Sequence, residues 1–138
     1  MEFTIKTSNR EEILDITGEV RKAVAELCEK DKKRVCNKDT GACLVYVLHA
    51  TCAVIVNENY DKMVCEDILN YLRKNIPKGA WKHDKIDNNA DSHIKASIIG
   101  PGQIIPVEDG KLQLGRWQGI ALAEFDGPRE RKIIVKII

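Results

Sequence analysis

Strict alternation of apolar and polar side chains marks residues 3–7 (FTIKT) as a strand. After a polar turn at Ser8, Asn9 and Arg10, residues 13–16 (ILDI) read as a second strand, expected as its hairpin partner. The period then lengthens. Val20, Ala23, Val24, Leu27 and Cys28 recur at helical spacing behind Thr17, a good N-cap, and Glu19, an acidic first-turn residue. This predicts a helix with one face on a sheet. Residues 29–41 have mixed charges and no period, which predicts a surface loop; Lys30, Lys32, Lys33 and Arg34 are interleaved with acids and read as solubilising charge.

Residues 42–48 (ACLVYVL) form a continuous apolar run of strand length, expected at the centre of a sheet and covered on both faces. His49, Ala50, Thr51 and Cys52 interrupt the run, and residues 53–56 (AVIV) resume it, which places His49 at a bend or strand end. A second helix is expected from about Asp61, with Val64, Cys65, Ile68 and Leu72 inward, ending before Pro77. Residues 78–89 form a polar loop holding His83, Asp84 and Asp87. Residues 90–99 follow as a third helix, with Asn88 or Asn89 as cap and His93 near its first turn. Residues 103–107 form a short strand whose Pro106 favours an edge or bulge, and residues 132–138 (KIIVKII) close the chain as a buried strand.

Between them runs the stretch that organises the chain, residues 110–131 (GKLQLGRWQGIALAEFDGPRER). It reads as one long strand bent at Gly115 or Gly119, with Ile120, Leu122 and Glu124 on one parity and Ala121, Ala123 and Phe125 on the other. Glu124 is the anomaly. A carboxylate on an apolar face is costly unless a cation, a metal or several donors meet it. Two readings stand open: Glu124 pairs with an arginine and locks the strand end, or the strand end walls a polar pocket. Asp126, Gly127 and Pro128 then turn the chain, and Arg129 and Arg131 follow on one parity.

The pattern is that of one α+β domain, and 138 residues is a common single-domain size. A net charge of +1 removes the electrostatic signature of a nucleic-acid binder, and 5% aromatic residues are too few for a base-stacking platform. No stretch has the length of a membrane span and no signal sequence is visible, so a cytoplasmic protein is expected, without nucleic-acid or membrane partners. Five cysteines without a C-x-x-C pair argue against a disulfide framework and a structural zinc site; most are expected as small buried hydrophobes. Cys52 as a nucleophile is the weaker idea, because a strand puts it on the opposite parity to His49.

The candidate chemistry lies in three histidines, His49, His83 and His93, each at an element boundary among polar or small residues. Spacing does not make them adjacent. The segments HATCAVIVNENYD (49–61), DNNADSHIKASIIG (87–100), IIPVEDGKLQLGRWQGI (104–120) and EFDGPRERK (124–132) closely resemble the YjbQ family, also called the secondary thiamine-phosphate synthase enzyme family. Ala50, Cys52 and Arg116 depart from its usual pattern. The resemblance implies an α+β fold, a mostly antiparallel sheet folded sandwich-like with two to three helices beside it, assembled as a homotrimer.

It further implies that His49, His83 and His93 converge with Asn57, Asn89, Glu124 and Arg129 on one polar pocket near a subunit boundary. Thr51 falls in the same motif as an anion-binding hydroxyl. Three imidazoles could ligate a divalent metal, Zn or Mg, while protonated imidazole and arginine could instead hold the phosphate of a small anion. The family name implies coupling of a pyrimidine diphosphate to a thiazole phosphate, with Arg129 stabilising the departing pyrophosphate and Glu124 or a histidine moving a proton. The chain has no aspartate-rich diphosphate motif and no glycine-rich phosphate loop, so that activity would be secondary. The alternatives are a metal-assisted hydrolase of a small phosphorylated or acyl compound, and a non-enzymatic trimeric module that binds an anion or metal.

Overall fold

The structure is a computed structural model, and it describes residues 1–30, 41–58 and 60–138. The elements run β1 (Glu2–Lys6), β2 (Glu12–Asp15), α1 (Thr17–Lys30), β3 (Gly41–Val47), β4 (Cys52–Asn57) and α2 (Lys62–Asn75). A 3-10 turn (Lys82–Lys85), α3 (Ala90–Ile99), β5 (Gly102–Glu108), β6 (Lys111–Leu112), β7 (Gly119–Glu124) and β8 (Glu130–Ile137) complete the order. The reading of 31–40 as a solvated loop lies outside the described residues.

Two antiparallel sheets face each other, one in the order β1-β8-β3-β5-β6 and one in the order β2-β7-β4. Between them Val45, Val47, Ile105, Ile133 and Val135 meet Val54, Ile120 and Leu122, and the buried face of α1, Val20 and Val24, plugs the same core. The far side of the three-stranded sheet carries a second core. There Ala53, Ala123 and Phe125 receive Leu69, Leu72 and Ile76 from α2 and its C-terminal end, and Ala96 from α3. β7 is therefore buried on both faces, every residue of it. Its Ile120 and Leu122 parity fills the first core and its alanine parity accepts helices in the second, which is the split that the sequence carries.

Four expectations change. β1 and β2 are not a hairpin: β1 pairs with β8 and β2 with β7, in different sheets. The polar turn between them spans the edge of the sandwich instead of closing a ladder. The long strand of residues 110–131 is two strands, because the Gln118 side chain accepts from the Gly115 amide at 2.8 Å while the Gln118 amide donates to the Gly115 carbonyl at 3.0 Å. That closed turn takes 113–118 out of any ladder. β3 is central, between β8 and β5, but within the chain only its inner face is covered, since Tyr46 and Leu48 are exposed and the facing Ile104 is 64% exposed. Last, Cys28 is disulfide-bonded, whereas Cys43, Cys52 and Cys65 are free thiols.

Glycine is dictated most sharply at Gly127. A Cβ there would lie 2.2 Å from the Asn9 carbonyl oxygen and 2.8 Å from Thr7 Oγ1. The β7–β8 turn thus passes hard against the β1–β2 turn, and the Gly127 amide donates to the Arg10 carbonyl at 2.9 Å.

Candidate functional site

The β7–β8 turn, the His49–Thr51 step before β4 and the N-terminal end of α3 meet at one end of the sandwich. Glu124, fully buried as the last residue of β7, is answered by Arg131 of β8. Nε donates to Oε2 and Nη2 to Oε1, both at 2.6 Å. Thr7 Oγ1 donates to the same carboxylate at 3.1 Å, and the amides of Phe125 and Asp126 donate to Oε1 at 2.9 and 2.8 Å. Of the two readings, the arginine pair is the one observed. Burial would lower the Arg131 pKa, but the hydrogen bonds it donates to Glu124 and the negative charge of Glu124 and Asp126 together raise it. Arg131 Nη2 also donates to Thr51 Oγ1 at 2.8 Å.

In front of this pair opens a cleft of about 610 Å³ lined by His49, Thr51, Asn89, Asp126, Arg129 and Arg131, among others. Arg129 is exposed and is tied to Asp126, with Nη2 2.9 Å from Oδ2 and Nε donating to the Asp126 carbonyl at 2.8 Å. The Asn89 side-chain amide donates to the same Oδ2 at 3.0 Å. Because a carboxylate only accepts, this contact fixes the amide orientation and leaves Asn89 Oδ1 buried with no hydrogen-bond partner among the described residues.

His49 stands between this cleft and a neighbouring one of about 490 Å³, lined also by His93, Ser97 and Cys52. Its Nε2 accepts the Lys132 amide at 2.8 Å, so the neutral ring carries its proton on Nδ1. Burial, with Arg131, Lys132 and Arg129 nearby, lowers the His49 pKa below the ordinary histidine value, against the pull of Glu124. His83 and His93 meet edge to face with ring centroids 5.2 Å apart, and His83 Nε2 lies 3.5 Å from Asp87 Oδ2. His93 therefore links the pair to His49. The third of these rings is not drawn into one ligand set: among the described residues no group of three His, Cys, Asp or Glu side chains is arranged to hold a metal ion. Within one chain the donors do not fit a three-histidine centre.

Asn57 stands apart. It ends β4, roughly 16 Å of strand away from the Thr51 end, and lines a different, largely apolar cleft with Ile68, Tyr71 and Gln103. Its Oδ1 accepts from the Glu58 amide at 2.8 Å. The buried Cys52 thiol is pushed up to about 12, which leaves no thiolate for nucleophilic attack near neutral pH.

A second polar cluster positions α3. Lys95, 1% exposed, contacts Asp91 at 2.8 Å and Glu11, while Arg10 holds Asp91 with Nη2–Oδ1 at 2.8 Å and Nη1–Oδ2 at 3.2 Å. Arg73 of α2 pairs with Glu11 from outside. Asp84 caps the helix by accepting the Ala90 amide at 3.0 Å, and Ser92 Oγ donates to the Phe125 carbonyl at 2.6 Å. Sequence reasoning missed this cluster and missed Arg131 as a lining residue. The signal for Arg131 was present, since it shares parity with Ile133 and Val135 and so points inward like Glu124.

Fold and site together define a small two-layered α+β protein with a histidine- and arginine-lined cleft at the end of its sheets. A family model described as "UPF0047 protein YjbQ-like" matches residues 1–138, and the chain belongs to that family. It is 45% identical over 139 residues to a UPF0047 protein of Archaeoglobus fulgidus, covering all of both chains, and 37% identical to the UPF0047 protein YugU of Bacillus subtilis, covering 97% of this chain and 95% of that one. Among solved structures, an uncharacterized conserved protein of the YjbQ/UPF0047 family from Clostridium acetobutylicum superposes with a TM-score of 0.88 at 45% identity, covering 100% of this chain and 99% of that one. A YbjQ-like protein of unknown function from Sulfolobus solfataricus gives 0.87 at 37% identity, covering 99% and 94%. Among the described residues no helix is long and apolar enough to cross a membrane.

Proposed function

We propose that the cleft bounded by His49, Thr51, Asn89, Arg129 and Arg131 binds a small phosphorylated molecule, and that it serves a thiamine-phosphate synthase-like reaction joining a pyrimidine diphosphate to a thiazole phosphate. The observation that supports this is the convergence of three sequence-distant motifs on one cleft whose hydrogen-bond donors include two arginines and a neutral histidine. Guanidinium groups and a fixed Nδ1–H suit phosphate oxygens. In the coupling reaction they would hold the departing pyrophosphate, with His49 as proton carrier and Glu124 as the group that holds Arg131, its own oxygens being engaged already. No step of the proposal passes through a metal.

The protein would act as a homotrimer. Leu44, Tyr46, Leu48 and Ile104 lie on the outer face of the five-stranded sheet, and an open apolar face of this kind is a surface on which copies meet. Calorimetric titration of the untagged protein with pyrophosphate, before and after dialysis against chelator, tests the reading together with a coupling assay on both thiamine precursors. Chelator-resistant pyrophosphate binding that His49→Asn and Arg129→Gln each weaken supports it. Binding lost with a stoichiometric divalent ion would favour the metal-assisted hydrolase instead. Unaltered affinity in both variants removes the cleft from consideration.

A further inference from the structure

Two residues of the cleft carry groups that nothing among the described residues satisfies, and they are of opposite kind. Arg131 spends Nε and Nη2 on Glu124 and Thr51, while Nη1 makes no hydrogen bond among the described residues and is not sealed off, in a residue that lines the cleft. Asn89 lines the same cleft, and its Oδ1 is a buried acceptor without a donor among the described residues, its amide locked by Asp126. A buried acceptor left unmet is costly, so a bound ligand that brings a donor gains what one that brings another oxygen forfeits.

Charge points the same way. The arginines lining the cleft are already compensated, Arg131 by Glu124 and Arg129 by Asp126 at 2.9 Å. His49 is neutral near pH 7. With no surplus positive charge at the Arg131 and Asn89 end of the cleft, a phosphoryl group bearing a single negative charge is favoured there over one bearing two.

We infer that the anion taken here carries its own proton: a phosphate monoester in its singly protonated form, with an unprotonated oxygen on Arg131 Nη1 and its P–O–H donated to Asn89 Oδ1. This rests on the anion-binding reading above. It makes Asn89 the residue that discriminates phosphate from sulfate, whose esters have the same shape but no proton to give.

Methyl phosphate and methyl sulfate are matched in size and, at pH 5.0, in charge, because the second phosphate pKa lies near 6. Calorimetry on the whole protein should show methyl phosphate binding about tenfold tighter or more. Asn89→Ala should bring the two affinities to within about twofold of each other, and Arg131→Lys should weaken both while keeping their ratio; melting curves check that each variant is folded. Equal binding of the two esters by the unaltered protein overturns the inference and leaves the anion-binding reading standing. A preference that survives in Asn89→Ala also overturns it. Binding of neither ester overturns both.

Discussion

Arg131 and Glu124 belong to different sheets, and their paired hydrogen bonds of 2.6 Å staple the five-stranded sheet to the three-stranded one across the closed end of the sandwich. Thr7, following β1, and Thr51, preceding β4, attach to opposite members of the pair. Leaving one buried ion without its counterpart costs about 3–5 kcal/mol. Glu124→Gln should therefore lower the unfolding free energy by about that much in urea titration. Adding Arg131→Gln should recover part of the loss, and a double variant as unstable as the sum of the singles would show that the two side chains are not coupled.

Gly127 is a steric prediction. Its missing Cβ would sit inside van der Waals contact of the Asn9 carbonyl, a backbone atom that cannot swing away. Gly127→Ala should cost about 1–3 kcal/mol or more and lower the melting temperature measurably, whereas Gly18→Ala, where a Cβ meets nothing within 4 Å, should not suffer a clash.

His49 gives the protein an acid-side sensitivity. Its folded pKa is depressed by burial and by Arg131, so below the ordinary histidine value the unfolded chain takes up a proton that the folded chain refuses. This contribution to stability falls as pH drops through about 6.5 and levels off once the folded pKa is passed. The melting temperature of His49→Asn, measured from pH 8 to pH 5, should decline less steeply than that of the unaltered protein.

The α3 cluster responds at lower pH. Burial alone would raise the Asp91 pKa, but hydrogen bonds from Arg10 and Lys95 hold it below the ordinary aspartate value. Its stabilisation is present above about pH 4 and is lost as pH falls through the folded pKa. Lys95→Met should leave Asp91 and Glu11 short of a cation and cost about 3–5 kcal/mol in denaturant melts near neutral pH. Recovery of that deficit on acidification would confirm the origin of the loss.

The outer sheet face can be probed in solution. Ile104→Asp should reduce the molar mass seen by light scattering if this face joins copies, and an unchanged mass would place the contact elsewhere.

Most of the fold was legible because its periods are clean: the helical spacing of Val20 to Cys28, the run of β3, and the two parities of β7. What escaped depends on partners distant in sequence. Adjacency of β1 and β2 in the chain looks like a hairpin, yet the tight passage of Gly127 against Asn9 sends them to separate sheets. Gln118 looked like a strand residue until its side chain folded back on Gly115. Glu124 was recognisable as needing an answer, but Arg129 and Arg131 share one parity in the sequence, and only the folded path of β8 buries Arg131 and leaves Arg129 exposed. Asp91 and Lys95 are four apart on one helix, a spacing that looks like a surface pair and is buried here only because Glu11 and Arg10 arrive from another element. The placing of His83 beside His93, and of Asn57 far from both His49 and Asn89, needed the tertiary path of the loop and of β4.

Ala53, Ala96 and Ala123 lie where α2 and α3 rest on the three-stranded sheet, and small side chains there let helix and sheet approach closely. The helix that bears His93, and is entered through Asn89, owes its height above the cleft floor to these methyl groups. Enlarging any one of them would lift that helix off the sheet and move the His93 side of the cleft beside His49, so the shape of that opening is set as much by small side chains under the helix as by the polar ones that line it.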